Sequence, residues 1–247
     1  MLAIIGGSGL TRLSTLAVAR REVVRTPYGE PSSALVFGQL AGRDVAFLAR
    51  HGHGHTIPPH RVNYRANLWA LQKSGVASIL AVASVGAIAS EYAVGDIVLP
   101  HQLIDYTSGR EHTFFDGGDR EVVHVDFTHP YTESLRERCR AGARAAGIPI
   151  HDGGVYGAVC GPRLETAAEI DRLARDGATV VGMTGRPEAV LAGELGLAYA
   201  SISVVVNHAA GRGDSALAIS MESIASVLET AMDKVRSLID EVVRDAR

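Results

Sequence analysis

Cysteine is nearly absent. The 247 residues hold only Cys139 and Cys160, which excludes a disulfide framework and any CxxC metal or redox pair. Both thiols read as core residues of a protein kept in a reducing cytoplasm. No apolar run approaches the ~20 residues of a membrane span. The opening "MLAIIGGSGL" lacks a basic flank and breaks into glycines, so it is not expected to act as a signal peptide. There is no excess of positive charge either. The formal net charge is −3, which leaves no electrostatic footprint for nucleic acid. Linkers, repeats and low-complexity tracts are missing too. With 47% hydrophobic residues, disorder is excluded, and one domain covering 1–247 is expected.

What is present is alternation. The segments "LAII", "ALVF", "DVAFLA", "SILAVA", "DIVLP", "GVYGAVC", "TVVG" and "YASISVVV" read as strands. Helical patterns lie between them. From Val62 to Lys73, Val62, Ala66, Trp69 and Ala70 share a face; from Pro130 to Ala146, Leu135, Cys139 and Ala143 do. From Ile224 to Val242 a helical period runs through Leu228, Ala231, Met232, Val235, Leu238 and Ile239. Pro187 sits just inside another helix start, with Gly196 near its end. This order predicts α/β layering around a mostly parallel or mixed sheet.

Chemistry is expected where strands end. The run "SISVVVNHAAGRGD" is β-branched and apolar until Asn207, so a carboxamide is delivered at a strand tip, where open α/β sheets collect ligands. Asn207 either reads a ligand or starts a turn. The strand ending in Gly6-Gly7-Ser8-Gly9 suits an anion approached by backbone N–H groups, or is a plain tight turn. It is no dinucleotide fingerprint, because Arg12 stands where the third glycine belongs, and it lacks the GK[ST] of a Walker loop. In "LARHGHGHTIPPHRVNYRAN", Arg50 offers a bidentate fork and His51 a further donor for an anion. The His-x-His-x-His spacing has no acidic or cysteine partner nearby, so no metal is expected. A solvated basic loop is the alternative, and Asn63 and Arg65 either line the same pocket or face water. Thr184, at a strand tip before the Pro187 helix, is a cap or another hydroxyl for the anion, and Met183 is core or packs on a sugar. Glu165 precedes Thr166 and Glu169, which have capping-box spacing, so it is an ordinary helix-start residue unless Asn207 is its partner.

Taken in order, "IGGSGL", "RHGHGHTIPPHRVNYRANLWAL", "VGDIVLPHQLIDYTSGREHTFFDG", "GPRLETAAEI", "VGMTGRPEA" and "AISMESIASVL" resemble the trimeric branch of the purine nucleoside phosphorylase and methylthioadenosine phosphorylase family over nearly the whole chain. The resemblance implies a single-domain, three-layer α/β fold with a central mixed β-sheet flanked by helices. It implies a phosphate cradle of Ser8, Arg50, His51, Ala83, Ser84 and Thr184, and Met183 against the ribose. Glu165 and Asn207 would read the purine and carry catalysis, with His208 and Ala209 beside them. Met221 and Ile219 would line the 5′ pocket. His124 falls where the family borrows a side chain from a neighbouring subunit, which implies a homotrimer with shared sites. Inorganic phosphate would be a co-substrate, with no cofactor.

Asn207 presents both a donor and an acceptor, which suits a 6-oxopurine, and Glu165 suits its N1–H. Methionine at 221 suits a methylthio group better than a 5′-hydroxyl. The expected reaction is therefore phosphorolysis of methylthioinosine. The rivals are inosine/guanosine or methylthioadenosine phosphorolysis, or, outside enzymes, purine binding without turnover. Ala83 and Arg186 depart from the family pattern: the first removes a polar contact unless Ser84 supplies it, and the second places a charge at the rim or in solvent.

Overall fold

The computed structural model describes residues 1–118 and 121–245. Eleven strands form one sheet: β1 (Leu2–Gly6), β2 (Ala17–Glu22), β3 (Leu35–Leu40), β4 (Arg43–Ala49), β5 (Ser78–Ala87), β6 (Ile97–Leu99), β7 (Gln102–Asp105), β8 (His151–Asp152), β9 (Val155–Ala158), β10 (Val180–Gly182) and β11 (Ala198–His208). Among the described residues five α-helices accompany them: α1 (Tyr64–Lys73), α2 (Glu133–Ala145), α3 (Ala167–Arg175), α4 (Gly185–Glu194) and α5 (Met221–Arg244). Among the described residues no helix is long and apolar enough to cross a membrane.

Both faces of the sheet are covered, which is why its central strands read as unbroken apolar runs. Leu2 and Ile4 of β1 pack with residues of α2 and α5 such as Cys139, Val235 and Ile239. Ala3 and Ile5, pointing the opposite way, pack with Leu68, Leu71, Leu191 and Ala192 of α1 and α4. The layers are therefore helix, sheet, helix. The buried face of α1 is wider than its sequence pattern suggests, since Leu68 and Leu71 are sealed while Trp69 is only half-buried. Burial of Cys139 pushes its thiol up to about 12, so it is inert.

Pairing along β5 opens a gap in the sheet. One edge of β5 is covered by parallel β11 from Ser78 to Ala87. The other edge carries parallel β1 only as far as Ala81, and antiparallel β10 only at Gly86 and Ala87. Because β1 and β10 run in opposite senses, their carboxyl ends converge on residues 82–85 of β5, left free on that edge. Parallel β4 ends beside β1, pairing Ala49 with Gly6. The tips of β1, β4 and β10 thus meet at one break, the kind of switch point at which α/β sheets bind ligands.

Candidate active site

A cavity of about 530 Å³ occupies this break. Gly7 and Ser8 come from the tip of β1, Arg50 and His51 from that of β4, and Ala83 to Gly86 from β5. Met183 and Thr184 follow β10, Glu165 precedes α3, Asn207 ends β11 and Met221 begins α5. Ten of the residues named from the sequence therefore share one cavity: Ser8, Arg50, His51, Ala83, Ser84, Glu165, Met183, Thr184, Asn207 and Met221.

Four do not line it. His208 follows Asn207 on the same strand, and period-two alternation sends its side chain the other way. Its ring lies against Gly213 and Asp214, with Asp214 N–H donating to Nδ1 at 3.3 Å. Ala209 is buried in a separate cluster with Ile88, Ile170 and Val181. Ile219 is half-buried outside the cavity, one helix start before Met221. His124 is exposed, between exposed Val123 and Val125, and does not line this chain's own cavity.

Asn207 owes its aim to a bulge. The β11–β5 register slips between Val205 and Asn207, so Val206 is extra and Asn207 pairs with Gly86. Bulges re-aim side chains next to functional sites. One N–H of Asn207 donates to the His208 carbonyl at 2.6 Å, which leaves the other N–H and the carbonyl oxygen for a ligand. Glu165 and the capping box coexist. Thr166 and Glu169 form the box at the start of α3, whereas Glu165, one residue outside, has its own backbone N–H as its sole hydrogen-bonding influence. Burial raises its pKa first, and Glu169 adds to that. An unpaired, partly desolvated carboxylate is ready to accept an N–H from a ligand.

The fork of Arg50 has an owner within the protein. Its Nε and Nη2 donate to the two carboxylate oxygens of Glu188 at 2.7 and 2.8 Å, and Nη1 donates to the Val82 carbonyl at 2.8 Å. That carbonyl is available because β1 stops pairing at Ala81. Both partners are sealed from solvent, and Tyr199 OH donates to Glu188 at 2.9 Å. Burial works against the guanidinium charge, and Glu188 outweighs it, so the pKa of Arg50 rises. The bidentate face expected to hold an anion is therefore engaged. Of five N–H groups, three are used, and among the described residues the remaining two have no partner. Ser84 Oγ, at the same wall, is buried without a protein partner.

The sequence did not disclose Glu188, Tyr199 or Arg110. Arg110 is buried, and its guanidinium donates to the carbonyls of Met183 (2.8 Å), Arg186 (2.6 Å), Cys160 (2.8 Å) and Val159 (3.2 Å). It ties the loop carrying Met183 to the loop leading to Glu165. Arg186 neither faces solvent nor reaches the cavity rim; it pairs with Asp105 at 2.8 Å and Thr107 at 3.1 Å. Asn63 caps α1 through Ala66 N–H at 3.0 Å, and Arg65 pairs with Glu111 and Asp116, so neither lines the cavity. Among the described residues no three His, Cys, Asp or Glu side chains gather as a metal site.

Known proteins resemble this chain in sequence and fold. Residues 1–244 match the model of the phosphorylase superfamily. A probable S-methyl-5′-thioinosine phosphorylase of Pseudomonas syringae pv. tomato is 52% identical over 241 residues, covering 98% of this chain and 97% of its own. The 6-oxopurine nucleoside phosphorylase of Pyrococcus furiosus is 47% identical, covering 85% and 80% respectively. A methylthioadenosine phosphorylase from Schistosoma mansoni, solved in complex with adenine, superposes with a TM-score of 0.94 at 32% identity, covering 98% of this chain and 90% of that one. With the fold, the converging strand tips and these relatives in agreement, the chain belongs to the phosphorylase superfamily.

Proposed function

We propose that this chain cleaves S-methyl-5′-thioinosine with inorganic phosphate, releasing hypoxanthine and 5-methylthioribose 1-phosphate. The reading rests on one observation above the others. The carboxamide of Asn207, with a free carbonyl oxygen and a free N–H, shares a cavity with the unpaired carboxylate of Glu165. A 6-oxopurine leaving group matches that pair. The Asn207 carbonyl accepts from N7–H as negative charge builds on the purine, its N–H donates to O6, and Glu165 accepts from N1–H. A 6-aminopurine sets its exocyclic N–H against the Asn207 N–H. The free N–H groups of Arg50, with Ser8, Ser84 and Thr184, hold phosphate for attack on C1′, and the electron pair of the glycosidic bond leaves with N9. Met221 covers the 5′ methylthio group. Phosphate is a co-substrate in this scheme, and no cofactor takes part.

The whole chain acts as one phosphorylase domain in the cytoplasm, and the active form is a homotrimer. The exposed Val122, Val123, His124 and Val125 segment supports that reading, because it leaves apolar side chains and an imidazole on the surface for a second copy to meet.

The test follows base release from methylthioinosine, methylthioadenosine and inosine, each with and without phosphate. Fastest phosphate-dependent release of hypoxanthine from methylthioinosine is expected. Cleavage without phosphate would sink the phosphorylase reading, fastest release of adenine would sink the role of Asn207, and no turnover would leave a purine-binding protein.

A further inference from the structure

His51 is held in one tautomer by its surroundings. Its Nδ1 lies 2.8 Å from the Ile57 carbonyl oxygen. A carbonyl only accepts, so Nδ1 carries the hydrogen and donates it. The same loop is closed a second time by Ile57 N–H donating to the His51 carbonyl at 3.1 Å, which fixes the ring's setting. A neutral imidazole with its hydrogen on Nδ1 presents a lone pair at Nε2. Among the described residues Nε2 has no hydrogen-bond partner, and it is not one of the sealed polar atoms.

The groups around the ring oppose a second proton. Burial does so first and the neighbouring Arg50 charge next, and together they bring the His51 pKa down to about 4; His55, whose ring centroid lies 4.7 Å away, adds to this. Arg50 itself is matched by Glu188. The anion wall thus combines hydroxyls of Ser8, Ser84 and Thr184, which can turn to donate or to accept, with a neutralised ion pair, and His51 Nε2 adds a group that can only accept. His51 is a donor in the sequence reading, and the Ile57 carbonyl reverses that polarity.

An acceptor in such a wall has a chemical use. Inorganic phosphate keeps at least one P–OH at neutral pH, as does arsenate, whereas sulfate has the same shape and charge with no hydrogen to give. We propose that His51 Nε2 accepts the P–OH hydrogen of phosphate, so that the cavity selects hydrogen-bearing tetrahedral oxyanions and rejects sulfate. This deepens the phosphorolysis reading and rests on it for the identity of the anion. The protonated oxygen is parked at His51, and an unprotonated oxygen is left to form the bond to C1′. No proton transfers at His51: the P–OH persists in the sugar phosphate formed, and the purine takes its N7 proton from solvent.

Anion binding to the full chain without nucleoside tests this, by calorimetry with phosphate, arsenate and sulfate. Phosphate and arsenate should bind about 30-fold more tightly than sulfate, the size expected when a buried acceptor is left facing an oxyanion. His51→Gln, whose amide can turn either an N–H or its carbonyl to the anion, should collapse the ratio to about threefold, chiefly by improving sulfate. Nitrogen-15 NMR of the unliganded protein should show His51 Nε2 unprotonated, a readout that needs no variant to fold. Equal binding of sulfate and phosphate by the unmodified chain overturns the inference even if phosphorolysis is observed. An unchanged ratio in His51→Gln, with a raised nucleoside KM, also overturns it, because the lone pair would then face a sugar hydroxyl. Anion selectivity without turnover of any nucleoside would keep this inference and remove the proposed reaction.

Discussion

At one wall of the cavity Arg50, Glu188 and Tyr199 are sealed and bonded to one another, whereas at another Met221 is 65% exposed and Leu217, just before it, is fully exposed. The first wall joins Arg50, at the tip of β4, to Glu188 of α4 and Tyr199 of β11, and these three side chains are bonded within the protein. The second is built from the first turn of α5 and the loop before it, where few apolar atoms are packed. The contrast is one of packing: the sealed, bonded wall is rigid, and the exposed wall is the more adaptable.

The contrast can be broken most forcefully at Glu188. Glu188→Ala leaves the Arg50 charge buried and alone, and should cost about 3–5 kcal/mol of stability, read from urea midpoints. A loss under ~1 kcal/mol would mean that the pair is open to water. Asn207→Asp should come next: its effect is on choice rather than stability, moving the ratio of kcat/KM values toward 6-aminopurine nucleosides by roughly 10³-fold. Unchanged selectivity would remove Asn207 from the base.

A smaller effect concerns pH. The pKa of His51 is lowered from 6.5 to about 4 on folding, so between these values the unfolded chain takes up a proton that the native chain refuses. The His51 contribution is therefore complete above about pH 6.5 and is lost as pH falls toward 4. His51→Gln should flatten the stability curve in that window, and an unaltered slope would show that the ring is not desolvated. The smallest effect is expected at the open wall. Met221→His should leave stability within about 0.5 kcal/mol and reduce the preference for a methylthio over a hydroxyl group by roughly tenfold. A large stability loss there would erase the contrast between the walls.

The strand tips were legible because their chemistry is local. An apolar β-branched run must be buried, and the first polar residue after it must lie at the sheet's edge, which places Asn207, Thr184 and Arg50 without knowledge of any partner. Edge strands were harder. All six residues of β2, "AVARRE", are exposed, so no alternation marks it as a strand. His208 points away from the cavity because it is one step of strand alternation from Asn207, Ala209 lies past the end of β11 among Ile88, Ile170 and Val181, and Arg186 has no local signal for its pairing with Asp105. Glu188 lies in the first turn of α4, where an acidic residue ordinarily faces solvent and complements the helix dipole. Only the closing of the chain brings it to Arg50, 138 residues earlier.

Sequence alone determined the α/β layering and the delivery of Asn207, Thr184 and Arg50 to strand ends, because hydrophobic periodicity and residue type are properties of short stretches. The tertiary structure decided polarity and charge within the cavity. Whether Arg50 meets an anion as a free cation or as half of an ion pair, and whether His51 gives or takes a hydrogen, depends on a carboxylate from α4 and a carbonyl from the following loop. Hydrogen-bond partners are chosen by distances of about 3 Å across elements, and only the folded chain fixes those distances.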